Sequence, residues 1–327
     1  MAIEVQKPGL ATTVQDLGRP GYYDVGIPLS GAMDRFALIA GNLLVGNLEG
    51  AAALEIVFLG PELSFTQDAL VAVTGADLPP RLDGSPLGTW ESFQVRAGQV
   101  LSFDFLKRGA RAYLCVAGGI AVPVVLGSRS TYALGALGGH EGRALRAGDV
   151  LPVGGPEQAA PAGRSVPQSL RLGTAPTGTL RVLPGLYQHR VTHEALETFF
   201  TEAWKVAPEA DRIGYRFRGG SPLRFVEREQ PFGAGSDPSN IVDSCYPYGS
   251  IQVPGGTEPI VLHRDAVSGG GYFMLGTVIS ADMDLIGQLQ PHSPVRFDPV
   301  TLEQALEARH QYMASLMHLR AWCRESI

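Results

Sequence analysis

Residues 233–290 read GAGSDPSNIVDSCYPYGSIQVPGGTEPIVLHRDAVSGGGYFMLGTVISADMDLIGQLQ, the densest clustering of Gly, Pro and polar residues between strongly apolar runs anywhere in the chain. Loops displayed by a rigid sheet have this composition. Ser250 to Val253 and Ile260 to Leu262 are rich in β-branched residues, and Pro254-Gly255-Gly256 lies between them, so two strands joined by a turn are expected. The second strand delivers His263, Arg264 and Asp265 to its own end. Ser268 and the triplet Gly269-Gly270-Gly271 follow. Three residues without a Cβ let a ligand approach the backbone and let amide N–H groups converge on one acceptor. The same triplet also suits a wide bulge or a turn into a strand from Tyr272 to Ile279. Both readings stay open from the residues alone.

Outward from this stretch, the chain has 327 residues, enough for two cores, because single cores stop growing at about 250–300 residues. With 41 Gly, 24 Pro and only 18% charged residues, the composition points to many turns and few solvated helices. Between Leu59 and Val153 short apolar runs alternate with turn signals at Asp83-Gly84, Ala97-Gly98, Arg108-Gly109, Gly118-Gly119 and Ala147-Gly148. Strands recurring at about 8–12 residues indicate a barrel or sandwich, not alternating βα units. The fold class expected is mainly β with a few helices. Residues 154–178 are Pro/Gly/Ala-rich without periodicity, so the boundaries drawn are an N-terminal subdomain over 1–155, a linker over 156–178 and a C-terminal subdomain over 179–327 with a closing helix.

A net charge of −6 and the lack of any dense Lys/Arg run exclude a nucleic-acid footprint. No window approaches ~18 uninterrupted apolar residues and the first ten carry no secretory pattern, so no membrane segment is expected. Cys115, Cys245 and Cys323 are widely spaced and odd in number, which fits free thiols in a reducing cytoplasm and no metal-ligand set.

Helices are expected from near Ala32 to Asn47 with Ser30 as cap, from His193 to Ala203, and from about Thr301 to Trp322. Ser30 and Asp34 read most simply as capping residues, and Phe199, Phe200 and Trp204 as core. Glu55, among apolar neighbours of a strand pattern, needs a donor partner. Asp211-Arg212-Ile213-Gly214 reads as a turn with an internal ion pair. Gly127-Ser128-Arg129-Ser130-Thr131 and Gly138-Gly139-His140-Glu141-Gly142-Arg143 carry hydroxyls and guanidinium groups suited to a carboxylate, or equally to a surface loop tied down by its own arginines.

Several ordered motifs now converge. Thr12-Thr13-Val14-Gln15-Asp16, Gly21-Tyr22-Tyr23-Asp24-Val25-Gly26, Ser30-Gly31-Ala32-Met33-Asp34, Gly46-Asn47, Ala51-Ala52-Ala53-Leu54-Glu55-Ile56, Gly127 to Thr131 and Asp211 to Gly214 resemble the allophanate hydrolase subunit 2 group. That biotin-dependent carboxyltransferase group takes in the 5-oxoprolinase C subunit, the Kip-type kinase antagonists and the carboxyltransferase region of urea carboxylase. The resemblance implies two linked cyclophilin-like β-barrel subdomains and an allophanate hydrolase subunit 1-like (Kip inhibitor-like) partner. Ile251-Gln252-Val253-Pro254 resembles the 5-oxoprolinase and Kip branch. Asp237 to Asp243, with Asn240, and Asp265 with Ser268, Gly270 and Gly271 resemble urea carboxylase. The Kip branch has Thr-Thr-Gly-Gly-Tyr where this chain has Val267 to Tyr272.

Three functions follow from the resemblance. In the first, the chain moves a carboxyl group from carboxybiotin, carried by a separate protein, to a urea-like or amide nitrogen. Asp265 and Asp243 orient the nitrogen, Arg129 and Ser130 hold the carboxylate, the Gly270 and Gly271 amides supply oxyanion donors, and Asn240, Ser268 and Gln252 bind substrate. Biotin carrier and biotin carboxylase partners are then required, since the chain has neither a biotin-attachment Met-Lys pair nor an ATP-grasp segment. In the second, the chain opens 5-oxoproline to glutamate with ATP handled alongside partner subunits, including a lactam-utilisation protein. In the third, it is a regulatory binding module acting on a histidine kinase.

Overall fold

The computed structural model describes residues 1–172 and 178–325. The chain divides into two units, one made of Met1–Arg19, Ser30–Thr174 and Ala314–Ile327, the other of Pro20–Leu29 and Ala175–Met313. Two segments therefore fall outside the boundaries drawn from composition: residues 20–29 count with the second unit and residues from Ala314 onward with the first. Residues 156–172 of the expected linker are also no free tether. Val166 is fully buried, Ser92 N donates to the Arg164 carbonyl at 2.8 Å, and Arg164 donates to the carbonyls of Leu43, Leu44 and Cys323. One buried arginine thus satisfies carbonyls at the C-terminal ends of two helices, Arg35–Leu44 and Leu302–Glu325, which an α-helix leaves without an intrahelical donor. Residues 173–177 of that expected linker lie outside the described residues.

In the first unit the strands form two sheets. A six-stranded sheet runs Val150–Pro152, Ala2–Lys7, Glu62–Phe65, Val100–Phe103, Pro80–Leu82, Ser85–Pro86; a five-stranded sheet runs Thr13–Gln15, Ala53–Val57, Arg108–Val116, Ala69–Asp77, Glu91–Val95. Alternating residues of both enter one core, with Ile3, Val5, Leu63, Phe65 and Leu101 from the first and Leu54, Ile56, Val71, Val73, Leu114 and Val116 from the second. Helix α1, Arg35–Leu44, is buried along most of its length. Its N-cap is Asp34, whose carboxylate accepts from Ala37 N at 2.9 Å. Ser30, expected to cap, is instead held at φ 52° and accepts from Arg19 Nη1 at 2.8 Å. Its positive φ takes the chain off the path into the helix.

Glu55 finds its donors. It is fully buried, and Oε2 accepts from the Tyr113 hydroxyl at 2.7 Å and from Met33 N at 2.9 Å. The Asp34 amide in turn donates to the Tyr113 oxygen at 2.8 Å. The turn that leads into α1 is thus pinned to the five-stranded sheet.

In the second unit seven strands close a barrel in the order Gly178–Pro184, Met274–Val278, Ser250–Gln252, Ile260–Leu262, Gly214–Arg218, Trp204–Val206, Pro294–Pro299. The two strands joined by Pro254–Gly256 pair antiparallel with Ile251 opposite Val261, as the β-branched runs predict. Closure comes from a parallel pair, Gly178–Pro184 with Pro294–Pro299. Helix α2, His193–Thr201, is capped by Thr192 and packs Phe199 against Phe297 at 5.0 Å and Trp204 at 5.2 Å, so these rings are core. Helix α3 is Met283–Gln288 and helix α4 is Leu302–Glu325. Outside the barrel, Asn240–Cys245 and Gly269–Tyr272 form a two-stranded ribbon. Among the described residues no helix is long and apolar enough to cross a membrane.

Candidate functional site

At the end of the strand Ile260–Leu262 the chain is clamped by its own backbone. His263 N donates to Ile213 O and Asp265 N to Arg212 O, both at 2.9 Å. Asp265 is 6% exposed, and its carboxylate accepts from Arg212 Nε at 2.8 Å and Nη2 at 3.1 Å. From the turn Asp211–Gly214 the Arg212 side chain thus reaches out to Asp265. Asp211 accepts from Ile213 N and Gly214 N.

Arg264 is the unusual member of the cluster. It is 5% exposed, forms no ion pair among the described residues, and its buried Nε has no hydrogen-bond partner there. Its guanidinium lies 4.6 Å from the centre of the Tyr248 ring, and the Tyr248 hydroxyl sits 3.4 Å from Nε2 of fully buried His263. A ring face offsets about 2 kcal/mol of a desolvated cation, less than the several kcal/mol it costs to bury it. The charge is thus buried with no counter-ion among the described residues. Tyr23, from the segment 20–29 of the same unit, feels both Arg264 and Asp265; burial pushes its phenol up, Arg264 partly opposing and Asp265 adding to the effect.

The other expected residues of this unit lie on or beside the ribbon. Asp243 is exposed, and its Oδ1 accepts from Ser244 N at 2.9 Å. Asn240 pairs with Tyr272, and its carbonyl accepts from Arg228 Nη2 at 3.3 Å. Gln252 is buried in the barrel wall and hydrogen-bonds the Tyr246 hydroxyl, which also donates to Tyr272 O at 2.8 Å. Ser268 is partly exposed, and its carbonyl accepts from Tyr246 N at 2.8 Å.

The glycine triplet is strand, not a nest of converging amides. Gly269 and Gly270 pair with Cys245 and Ser244, and the register shifts between Asn240 and Ser244. Glycine is favoured by close approach: a Cβ on Gly270 would sit 3.1 Å from the Tyr246 ring, and one on Gly271 would sit 3.1 Å from Ile241 O. The expected strand from Tyr272 to Ile279 is divided, its first residue in the ribbon and Met274–Val278 in the barrel.

In the first unit, Asp16 organises the loop Gly127–Thr131. Its carboxylate accepts from Ser128 Oγ and Arg129 N, both at 2.6 Å, from Gly18 N at 2.8 Å, and from Ser130 Oγ. Ser130 is fully buried, and its hydroxyl also accepts from Asp16 N, so it holds the loop rather than facing a ligand. Arg19, 1% exposed, donates to Ser130 O, and a Cβ on Gly138 at φ 66° would meet that same carbonyl. Arg129 alone of the loop presents terminal donors: it is half-buried, with Nε tied to Val122 O at 2.8 Å. The neighbouring Gly138–Arg143 segment is not an open cationic loop, because Arg143 is bracketed by Asp149 and Glu141.

The sequence reading missed Arg264, Arg212, Tyr23 and Tyr248 as site residues. Arg264 had a signal, since it directly precedes Asp265. For Tyr23 and Arg212 the only hint was membership of motifs, because their meeting with residues 264–265 is made by tertiary structure. Among the described residues no group of three His, Cys, Asp or Glu side chains converges to hold a metal ion.

The chain is mainly β, and its second unit is built on a closed barrel. The family model for the carboxyltransferase domain, subdomain A and B, matches residues 25–299, and the chain belongs to that family. It is 37% identical over 320 residues to the C subunit of 5-oxoprolinase from Escherichia coli (strain K12), covering 98% of both chains. It is 35% identical over 332 residues to urea amidolyase of Lachancea kluyveri, covering 96% of this chain and 18% of that protein. The crystal structure of the K. lactis urea amidolyase matches with a TM-score of 0.90 at 34% identity, over 97% of this chain and 20% of that one. The chain thus spans nearly all of the first relative and about a fifth of the urea amidolyases. The resemblance read from the motifs is borne out.

Proposed function

We propose that the chain is the carboxyltransferase component of a multi-subunit, biotin-dependent enzyme acting on a urea-like or amide nitrogen. The observation that carries this reading is the buried Arg264 guanidinium with no ion-pair partner among the described residues, next to an aspartate already held by Arg212. Carboxybiotin, presented by a separate carrier, supplies a carboxyl group on a ureido nitrogen. The residues present fit such a group, because a carboxylate would satisfy the orphaned Arg264 Nε and neutralise the buried charge.

The chain's own residues then have separable tasks. Arg264 binds the carboxylate. Asp265 keeps lone pairs beyond those used by Arg212 and accepts N–H bonds from the nitrogen substrate, aligning a poor nucleophile. Tyr23 stays protonated at neutral pH and can donate to a developing oxyanion. Arg129, in the first unit, is proposed to donate to a carboxylate. Asn240, Asp243, Gln252, Ser268, Gly270 and Gly271 are proposed as the substrate-binding surface of the ribbon and the adjoining barrel wall, and Ser130 as the residue that positions Arg129. Proposed partners are an allophanate hydrolase subunit 1-like protein, a biotin carrier and a biotin carboxylase.

The test is reconstitution with those partners, carboxybiotin and urea, guanidine or a related nitrogen compound. Substrate-dependent loss of the carboxyl group that disappears in Arg264→Gln supports the reading; no turnover with any such compound rejects it. A second reading rests on the 98% coverage of the 5-oxoprolinase C subunit. Under it the same residues hold the carboxylate and lactam amide of 5-oxoproline, with ATP handled alongside a lactam-utilisation protein. ADP and glutamate release on adding 5-oxoproline identifies it.

A further inference from the structure

A second cationic cluster of the barrel unit borders the ribbon and has been given no ligand so far. The segments 190–192 and 224–226 run antiparallel, with Val191 opposite Phe225, Val226 N donating to Arg190 O at 2.8 Å and Thr192 N donating to Arg224 O at 2.9 Å. This pairing sets Arg190 beside the strand-like run that carries Arg228 two residues further on. The two guanidinium groups repel each other through space. Neither forms an ion pair among the described residues, although Arg228 Nη2 donates to Asn240 O at 3.3 Å. Arg190 is stacked 4.8 Å from the centre of the Tyr187 ring, and the Tyr187 hydroxyl reaches Ser244 Oγ at 3.4 Å. Three donors here are buried with no hydrogen-bond partner among the described residues: Arg190 Nη1, Arg228 Nε and Gln188 Nε2.

Native proteins rarely leave such donors unsatisfied, and each normally marks a bound water, ion or ligand. Like charges brought together and desolvated without a carboxylate between them cost stability that an anion returns. We propose that Arg190, Arg228 and Gln188 form a binding site for a phosphate-class oxyanion, distinct from the Arg264 site. Charge selects the class. Two guanidinium groups and an amide donor match a dianion with three acceptor oxygens, whereas a monocarboxylate leaves one cation uncompensated. The stacked Tyr187 ring holds Arg190 in place, so little side-chain freedom is lost on binding.

The experiment is titration of the full chain with inorganic phosphate and, separately, with a nucleoside diphosphate without magnesium, read by calorimetry and by Tm. Acetate and chloride at equal ionic strength are the controls. Saturable binding of either phosphate compound, with acetate and chloride silent, supports the site. Equal affinity for the two assigns it to the phosphate group alone, and tighter nucleotide binding assigns the source to a nucleotide. Arg190→Gln and Arg228→Gln should each weaken binding by about tenfold to a hundredfold. Arg224→Gln, an exposed arginine on the same run, should leave it unchanged. A phosphate response no larger than that of chloride overturns the proposal, as does full binding in folded Arg190→Gln and Arg228→Gln proteins.

Discussion

Arg212 and Asp265 are joined three ways: by side-chain bonds of 2.8 and 3.1 Å and by the Asp265 amide donating to the Arg212 carbonyl at 2.9 Å. The side chains are 17% and 7% exposed, so each charge depends on the other. Arg212→Met should destabilise the protein by about 3 kcal/mol through an uncompensated buried carboxylate. Asp265→Asn should abolish turnover with a smaller loss of stability, because the amide still accepts from Arg212. Urea-denaturation midpoints and turnover of the two variants check both statements.

Under the proposed function Arg264 carries a burial cost that anion binding offsets, so its removal should separate stability from activity. Arg264→Met is expected to raise Tm by about 2 °C while eliminating turnover, since a buried cation without an ion pair among the described residues is exchanged for an apolar side chain of similar length. A fall in Tm of several degrees would show that Arg264 is structural.

The pair Tyr113 and Glu55 gives a prediction for the first unit. Tyr113→Phe deletes the donor to Glu55 and the acceptor of the Asp34 amide, both buried. A loss of about 2–3 kcal/mol is expected, measured by chemical denaturation, without change in the Arg264 site's affinity for a carboxylate.

Acid sensitivity should trace in part to Asp149. Hydrogen bonds from Arg143 hold its carboxyl down at about 2. The folded value lies below the unfolded value of about 3.9, so this contribution is complete above pH 4 and is lost as pH falls through about 2. Asp149→Asn should lower Tm at neutral pH and flatten its fall between about pH 4 and pH 2. Parallel Tm curves for the two proteins would exclude the assignment.

Thiol chemistry should be confined to one residue. Cys245 is exposed on the ribbon, whereas burial pushes the Cys323 thiol up to about 11 and Cys115 is fully buried and also raised. One thiol per folded chain should react with a maleimide at neutral pH, and Cys245→Ser should remove that reaction.

Much of this protein is legible in its sequence because the relevant forces are local. The β-branched runs around Pro254–Gly256, the apolar periodicity of α1 and α2, and the turn signals between Leu59 and Val153 each depend on neighbours a few residues away. The ordered motifs were enough for the family. What sequence left open were contacts across long separations. Ser30 reads as a cap until Arg19 binds it, and the hydroxyl of Ser130 reads as a ligand donor until Asp16 consumes it. Three glycines leave an amide nest and a bulge or turn equally open until their pairing with Ser244 and Cys245 makes them strand, with the Tyr246 ring close against Gly270. Composition and short-range pattern by themselves determined a mainly β chain, its strands and the aspartate at a strand end. Only tertiary structure decided that Arg212 would spend itself on Asp265 while Arg264, one residue away, stayed buried without an ion pair among the described residues. The reason is physical: side-chain direction and desolvation are set by what packs around a residue, and those partners lie tens to hundreds of positions away.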